Sequence, residues 1–443
     1  MKRISILFLS MFFSAAVFSQ HKKPLPAYLE IAPVINSINM VMVHDVISPP
    51  AAARYYAYAM LGAYQIVSEN NHQVPALASF IRQFSAEKIT IPAKNYDYRI
   101  AAIYCILETS KNMLPSGISL QDDEDVYVAL LRKDKISEDV IKQSVSVAEK
   151  TSAQMINFSK TDHYNQLSAK LRYTPKKGDG YWYPTPPAYL EAVEPNWKTI
   201  RPMVIDSSSQ FTPAPAVKFS KDTASAFFRQ AKEVYDVSKK PTQEQLHIAA
   251  FWDCNPFAVT TSGHMSIGYK KISPGGHWMN IASLAVKKLN LDFDASVETV
   301  TLESLTLMDV FISCWDEKYR SNRIRPETYI NKYIDINWKP FLQTPPFPEY
   351  ASGHSVVSNS SAEILTYLLG DHFAYTDDTE IPYGVEPRSF TSFNQASAEA
   401  MISRLWGGIH FRDAIEEGNK EGREVAQNII EKIKKAGIKP LRK

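Results

Sequence analysis

Three short blocks in the second half of the chain gather residues that can hold an anion and move a proton beside it. The first is KYRSNRIRP, Lys318 to Pro326, with four cationic side chains in eight residues. In a chain of net charge +2, such a cluster needs a reason. Helical spacing puts Lys318 and Arg325, two turns apart, on one face, with Arg320 and Arg323 on the other. If the Lys318/Arg325 face is buried, it needs an anion between the two cations, because unpaired buried charge is strongly unfavourable. The second block is Ser352-Gly353-His354, where a proline-rich approach turns into a helical pattern. Ser352 is a natural N-cap, Gly353 lets backbone come close to a ligand, and the helix start favours negative charge. His354 would point at that charge from the first turn. In the third block Arg404 and His410 flank Gly407-Gly408. Regular helix would set them on different faces, whereas two glycines can bend the chain so that both converge. Each block alone also fits an ordinary role: a solvated helix face, a capped helix with a surface histidine, a helix–turn–helix.

The elements that must position these residues read as helices. Apolar residues recur at i, i+3 and i+4 over most of the chain, and hairpin turn signals are scarce. Helices are expected at 27–68 (two, broken at Ser48-Pro49-Pro50), 98–114, 121–158, 221–237, 242–254, 276–290, 296–326, 353–369, 393–405 and 410–436. Residues 173–215 open YTPKKGDGYWYPTPPAYLEAVEPNW, too rich in proline for helix and too aromatic for disorder. They predict an ordered wrap between two helical regions, 20–215 and 216–443. The fold class is all-α, with packed helical bundles.

Composition narrows the function. The 443 residues are 45% hydrophobic and 22% charged, as in globular proteins, and the near-neutral balance gives no nucleic-acid coat. Lys2 and Arg3, the apolar run Ile4 to Phe18 and the small Val17 and Ser19 predict a signal peptide over 1–19, cleaved near Gln20. The expected product is exported, periplasmic or secreted, with no membrane span. Cys105, Cys254 and Cys314 read as buried free thiols rather than a disulfide framework or a metal site. His264 and His277, thirteen residues apart, show no third metal ligand in register.

Taken together, Lys318-x6-Arg325-Pro326, Ser352-Gly353-His354 and Ser403-Arg404-x5-His410 resemble the tripartite signature of the superfamily that unites vanadium haloperoxidases and type-2 phosphatidic acid phosphatases. SPPAAARYYAYAMLGAYQ, YWYPTPPAYLEAVEPNW, LHIAAFWDCNPF, GGHWMNIASLA and CWDEKYRSNRIRPETYI are similar to segments of its soluble, exported haloperoxidase branch. The resemblance implies vanadate as cofactor and hydrogen peroxide and a halide as substrates. It implies that Lys318, Arg325 and Arg404 bind the vanadate oxygens, helped by Ser352 and the Gly353 N–H. His410 is then the axial vanadium ligand, His354 the acid–base residue, and Trp315 and Phe347 the halide side of the pocket. The same groups also suit a soluble acid phosphatase acting through a phosphohistidine at His410, or a binding protein that kept the oxyanion pocket.

Two positions depart from the family pattern. Ala351 replaces the usual proline before Ser-Gly-His, which should loosen the approach. The acid expected four residues after the last histidine is replaced by Asp413, three after it. The acidic partner of Arg404 is expected near Asp253 or Asn255.

Overall fold

The computed structural model describes residues 23–85, 95–262 and 264–442, so the expected export signal lies outside the described residues. Among these residues thirteen α-helices carry the fold. The first five are α1 (Ile31–His44), α2 (Pro49–Asn70), α3 (Tyr98–Met113), α4 (Leu120–Lys133) and α5 (Glu138–Ser159). After the proline-rich wrap come α6 (Ala226–Lys239), α7 (Gln243–Phe251), α8 (Pro274–Lys288), α9 (Phe293–Ser321), α10 (Pro326–Tyr333), α11 (Gly353–Leu369), α12 (Phe393–Trp406) and α13 (Arg412–Ala436). Two antiparallel hairpins are the β component: β1 (Val259–Ser262) pairs with β2 (Met265–Gly268), and β3 (Tyr375–Asp377) with β4 (Arg388–Phe390). The all-α expectation holds.

The axis of the molecule is α9. Asp292 caps it by accepting the Ala295 N–H at 2.9 Å. Nearly every side chain from Phe293 to Lys318 is buried, so the helix needs partners on all sides. These are α2, α8, α11 and α13. Hydroxyls inside this shell bond back to their own helix, as Thr306 does to the Leu302 carbonyl at 2.8 Å. A single apolar core therefore runs from Leu29 to Ile438 and joins both halves.

The structure differs from the expected elements at three places. Residues 121–158 form two helices, because Lys135 turns at positive φ and Ser137 restarts the chain as the cap of α5. The helix expected over 296–326 stops at Ser321: Asn322 adopts the left-handed conformation, φ 55° and ψ 34°, which asparagine tolerates well. Pro326 then opens α10 at a position where its missing N–H is harmless. The two hairpins are too short to show as strand alternation.

The wrap is ordered by α9. Trp182 N–H donates to the Asn322 carbonyl at 2.9 Å, and Trp315 Nε1 and Tyr319 Oη both donate to the Val193 carbonyl. Asp309 accepts the backbone N–H groups of Met203, Val204 and Ile205 at 2.6–2.8 Å. No helix of the described residues is long and apolar enough to cross a membrane.

Candidate active site

Four helix ends meet at one point. The last turn of α9 delivers Lys318, and the turn at Asn322 delivers Arg325 as the N-cap of α10. The start of α11 delivers Ser352, Gly353 and His354, and the end of α12 delivers Arg404. Lys318 and Arg325 therefore do not share a helix face; they converge because the helix breaks between them. Arg323 is not solvated either. It is buried, donating to Glu349 Oε2 at 2.7 Å and to both oxygens of Asp413 at 2.5–2.6 Å. Arg320 remains half-exposed beside Asp316 and Glu317.

Gly407-Gly408 makes the bend that brings His410 to Arg404. Gly408 sits at φ +79°, and a Cβ there would approach Pro340 to 3.0 Å. A Cβ on Gly407 would come within 2.6 Å of Leu342, whose N–H donates to the Gly407 carbonyl at 3.0 Å.

Three cations are fully buried here: Lys318, Arg325 and Arg404. None forms an ion pair with a carboxylate among the described residues; carbonyls hold them instead. Lys318 Nζ donates to the carbonyls of Pro348, Glu349 and Ala351. Arg325 donates to those of Phe347 at 3.0 Å and Ile409 at 2.9 Å. Arg404 donates to the Trp252 carbonyl at 2.7 Å and to Ser403 Oγ at 2.9 Å. Burial pushes Lys318 down to about 8 and each of the two guanidiniums down to about 10. Carbonyl dipoles fix the geometry of the cations without neutralising them, which leaves their charge available to a bound anion.

The two histidines are neutral. His410 Nδ1 lies 2.9 Å from Glu349 Oε1. A carboxylate there keeps the proton on Nδ1, and Nε2 presents its lone pair toward Arg325 Nη1 at 3.2 Å. Burial, and after it the charges of Arg325 and Lys318, hold His410 well below the usual imidazole range. Burial and Arg404 do the same to His354, against a hydrogen bond to the Trp252 backbone. His354 Nε2 and Arg325 Nη2 are buried with no partner among the described residues.

Trp315, Phe347, Gly353, His354, Arg404 and His410 line one pocket. The Trp315 and Phe347 rings are 5.0 Å apart. Lys318 and Arg325 stand behind this wall, each 5.1 Å from the Phe347 ring. A Cβ on Gly353 would sit 3.8 Å from both Lys318 and Trp315, so it would occupy the space between them. Ser352 is buried, and its Oγ accepts the Ser355 N–H as a cap. Ala351 does not loosen the approach: its carbonyl accepts from Lys318 Nζ, and Ser352 N–H donates to the Ala414 carbonyl at 3.0 Å.

Glu349 is the residue that the sequence reading missed. It is the single carboxylate between Lys339 and Glu363, a signal that could have found it. The search for an acid went instead to Asp413, which acts one step removed, through Arg323. Asp253 is the nearest negative charge to Arg404, but its ion pair is with Lys271 at 2.7 Å. Asn255 Oδ1 accepts the Phe257 N–H. The contact that holds Arg404 is the Trp252 carbonyl, which no side-chain motif reveals. His264 is exposed, whereas His277 is buried among Cys254, Asp377 and Glu380.

Residues 334–437, which carry the second and third blocks, match a family model described as the VCPO second helical-bundle domain. Comparison with curated proteins gave no match. Among solved structures, the chain is similar to the first bacterial vanadium-dependent iodoperoxidase. The identity is 42% and the TM-score 0.84, over 93% of this chain and 98% of that one. It also shares its fold with a bacterial vanadium-dependent chloroperoxidase in holo form, at 14% identity and TM-score 0.62 over 93% and 95% of the two chains. The apo form gives 13% and 0.61 over 88% and 95%. The 42% identity to the iodoperoxidase holds over 93% of this chain and 98% of that one, and on that ground this chain belongs to the vanadium haloperoxidase family.

Proposed function

We propose that the protein is a vanadium-dependent haloperoxidase that oxidises halide, iodide among them, with hydrogen peroxide to a hypohalous product. The observation that carries this is the set of three buried cations, none paired with a carboxylate, around two neutral imidazoles. Vanadate fits that set. Arg325 Nη2, without a partner among the described residues, and Arg404 would donate to its oxygens, and His410 Nε2 would hold the metal. Lys318, whose three N–H groups are held by carbonyls, would act on the anion through its charge. When bound, vanadate supplies Lewis acidity that makes peroxide electrophilic toward halide without a change in its own oxidation state.

The chain's own residues do the rest. Lys318, Arg325 and Arg404 balance the anion and draw electron density from it. Glu349 holds His410 in the tautomer that leaves Nε2 free. His354, neutral and with Nε2 without a partner among the described residues, would hold at Nε2 a proton taken from peroxide and give it back to the departing oxygen. Trp315 and Phe347 give the halide an apolar, polarisable face. The sequence relative at 42% identity, described as an iodoperoxidase, supports peroxidase over phosphatase chemistry and iodide as the first halide to test.

The experiment is a rate assay on vanadate-free protein with and without added orthovanadate, over iodide, bromide and chloride. Peroxide-dependent iodide oxidation that appears only with vanadate is the expected result. Phosphate-ester hydrolysis that vanadate abolishes, with no halide oxidation, would overturn the proposal.

A further inference from the structure

At one wall of the pocket, which Cys254 helps to line, Cys254, His277 and Glu380 bring one sulfur, one nitrogen and one carboxylate together in the buried interior. All are at most 2% exposed. Cys254 Sγ is 3.3 Å from His277 Nδ1, and Nδ1 is 3.1 Å from Glu380 Oε1. Sγ is 3.9 Å from the same Oε1. A tetrahedral zinc ion with bonds of about 2.0–2.3 Å holds its ligand atoms roughly 3.3–3.6 Å apart, close to these three separations.

Hydrogen bonding leaves one atom of the cluster unserved among the described residues, a carboxylate oxygen of Glu380. His277 Nε2 lies 2.8 Å from Asp377 Oδ2, and Asp377 is itself fixed by the Thr379 N–H at 3.0 Å. As an imidazolium, His277 donates Nε2–H to Asp377 and Nδ1–H to Glu380 Oε1, to which the Cys254 thiol also donates. As a neutral ring with Nε2–H on Asp377, its Nδ1 lone pair accepts from the Cys254 S–H. Either way Glu380 Oε2 is buried with no partner among the described residues, a costly state for a carboxylate oxygen. A dication at the centre would engage the sulfur, the Nδ1 nitrogen and the Glu380 carboxylate together. A histidine that ligates through one nitrogen while its other N–H is held by a carboxylate is the usual support for a metal-bound imidazole.

We propose that Cys254, His277 and Glu380 form a second, structural metal site, selective for zinc, with Asp377 orienting the histidine. Binding releases the Cys254 thiol proton, and the Nδ1 proton where His277 is an imidazolium, to solvent, and a thiolate, a neutral imidazole and a carboxylate then surround the dication. Glu380 Oε2, without a partner among the described residues, adds a second contact from the same carboxylate rather than a fourth tetrahedral corner. The site ties together three segments: the exit from α7, the first turns of α8, and the turn after β3. It also braces the catalytic pocket, because the His277 ring stacks on Trp252, with centroids 4.7 Å apart and planes at 18°, and the Trp252 carbonyl holds Arg404. Nothing in the proposal depends on the vanadate reading.

The test uses full-length protein produced in vanadium-free minimal medium supplemented with zinc or, separately, cobalt, and purified without chelator. The zinc form should retain stoichiometric metal. The cobalt form should show a thiolate-to-cobalt charge-transfer band that Cys254→Ser abolishes, with circular dichroism confirming the fold of the variant. Should Cys254→Ser fail to fold, zinc-edge X-ray absorption of the unaltered protein reads the same prediction as one sulfur among nitrogen and oxygen ligands. Protein that emerges metal-free from supplemented medium, or a zinc shell without sulfur, overturns the site.

Discussion

Glu349 Oε1 lies 2.9 Å from His410 Nδ1 across 61 residues of chain, and it accepts the Phe411 N–H at the same distance. One carboxylate therefore sets both the tautomer of the imidazole and the path of the backbone that carries it. Its other oxygen takes Arg323, which Asp413 clamps from the far side. Replacement by Gln keeps the size but removes the charge and turns an amide N–H₂ toward one of its donors. Groups that orient a ligating histidine are worth about 10–100-fold in affinity. Glu349→Gln should weaken vanadate binding by that factor, measured by titration of the vanadate-free protein. An unchanged dissociation constant would mean that the pair is only structural.

The left-handed turn at Asn322 is what lets Lys318 and Arg325 converge. Tyr173 Oη donates to Asn322 Oδ1 at 2.5 Å, so the side chain is held as well as the backbone. An Ala there lacks the amide that makes the left-handed conformation tolerable for asparagine, at up to roughly 1–2 kcal/mol, and loses a hydrogen bond worth about 1 kcal/mol. Asn322→Ala should reduce unfolding free energy by about 2–3 kcal/mol in urea and weaken vanadate binding by misplacing Arg325. Asn322→Gly, which keeps the backbone and loses only the side-chain contact, should lose less of both. Equal losses for the two variants would show that the backbone conformation is not what matters.

A buried carboxyl in α9 gives the stability a pH dependence. Glu303 is fully buried, with the Ser361 hydroxyl as the polar group that faces it and no cation paired with it among the described residues. Burial pushes it up to about 8. Between the unfolded value near 4.5 and the folded value near 8, the unfolded chain releases a proton that the folded protein keeps. Stability therefore falls as pH rises through that window, by up to about 1.4 kcal/mol per unit. Glu303→Gln removes this term. The variant should be more stable than the parent at pH 8, by a few kcal/mol, with the difference shrinking toward pH 4.5. Urea unfolding of both proteins at several pH values checks it. A difference that does not change with pH would show that Glu303 is ionised in the fold.

What was legible in the sequence is what lies close together along it. Lys318, Arg325, Ser352, Gly353, His354, Arg404 and His410 were found from residue type and spacing within short blocks, and the structure brings them to one place. The helical pattern was equally local. Glu349 and the Trp252 carbonyl were not legible, because their partners, His410 and Arg404, lie 61 and 152 residues away. Arg323 was misread because apolar periodicity runs on through Asn322, and the single dihedral that ends α9 leaves no mark on hydrophobic pattern. Cys254 and His277 were set aside for the same reason: Glu380 joins them from a turn more than a hundred residues further along.

The two histidines of the pocket should separate by experiment. His410 Nε2 is a lone pair held toward Arg325 by a carboxylate on the opposite nitrogen. That is the arrangement of a ligand, and its loss should appear in binding. His354 Nε2 has no such partner, and the ring stands in the first turn of α11 with Arg404 close enough to depress its proton affinity. That is the arrangement of a group that exchanges a proton with substrate, and its loss should appear in turnover. His410→Ala should therefore raise the vanadate dissociation constant severely, with activity recoverable only at high vanadate if at all. His354→Ala should bind vanadate nearly as the parent does while peroxidase turnover falls by about 10²–10⁴-fold, the range for a lost acid–base group. Vanadate titration and steady-state rates at saturating vanadate, run on both variants, distinguish these outcomes. Tight vanadate binding by His410→Ala with none by His354→Ala would reverse the two roles, and normal binding and turnover in both would place the active site elsewhere.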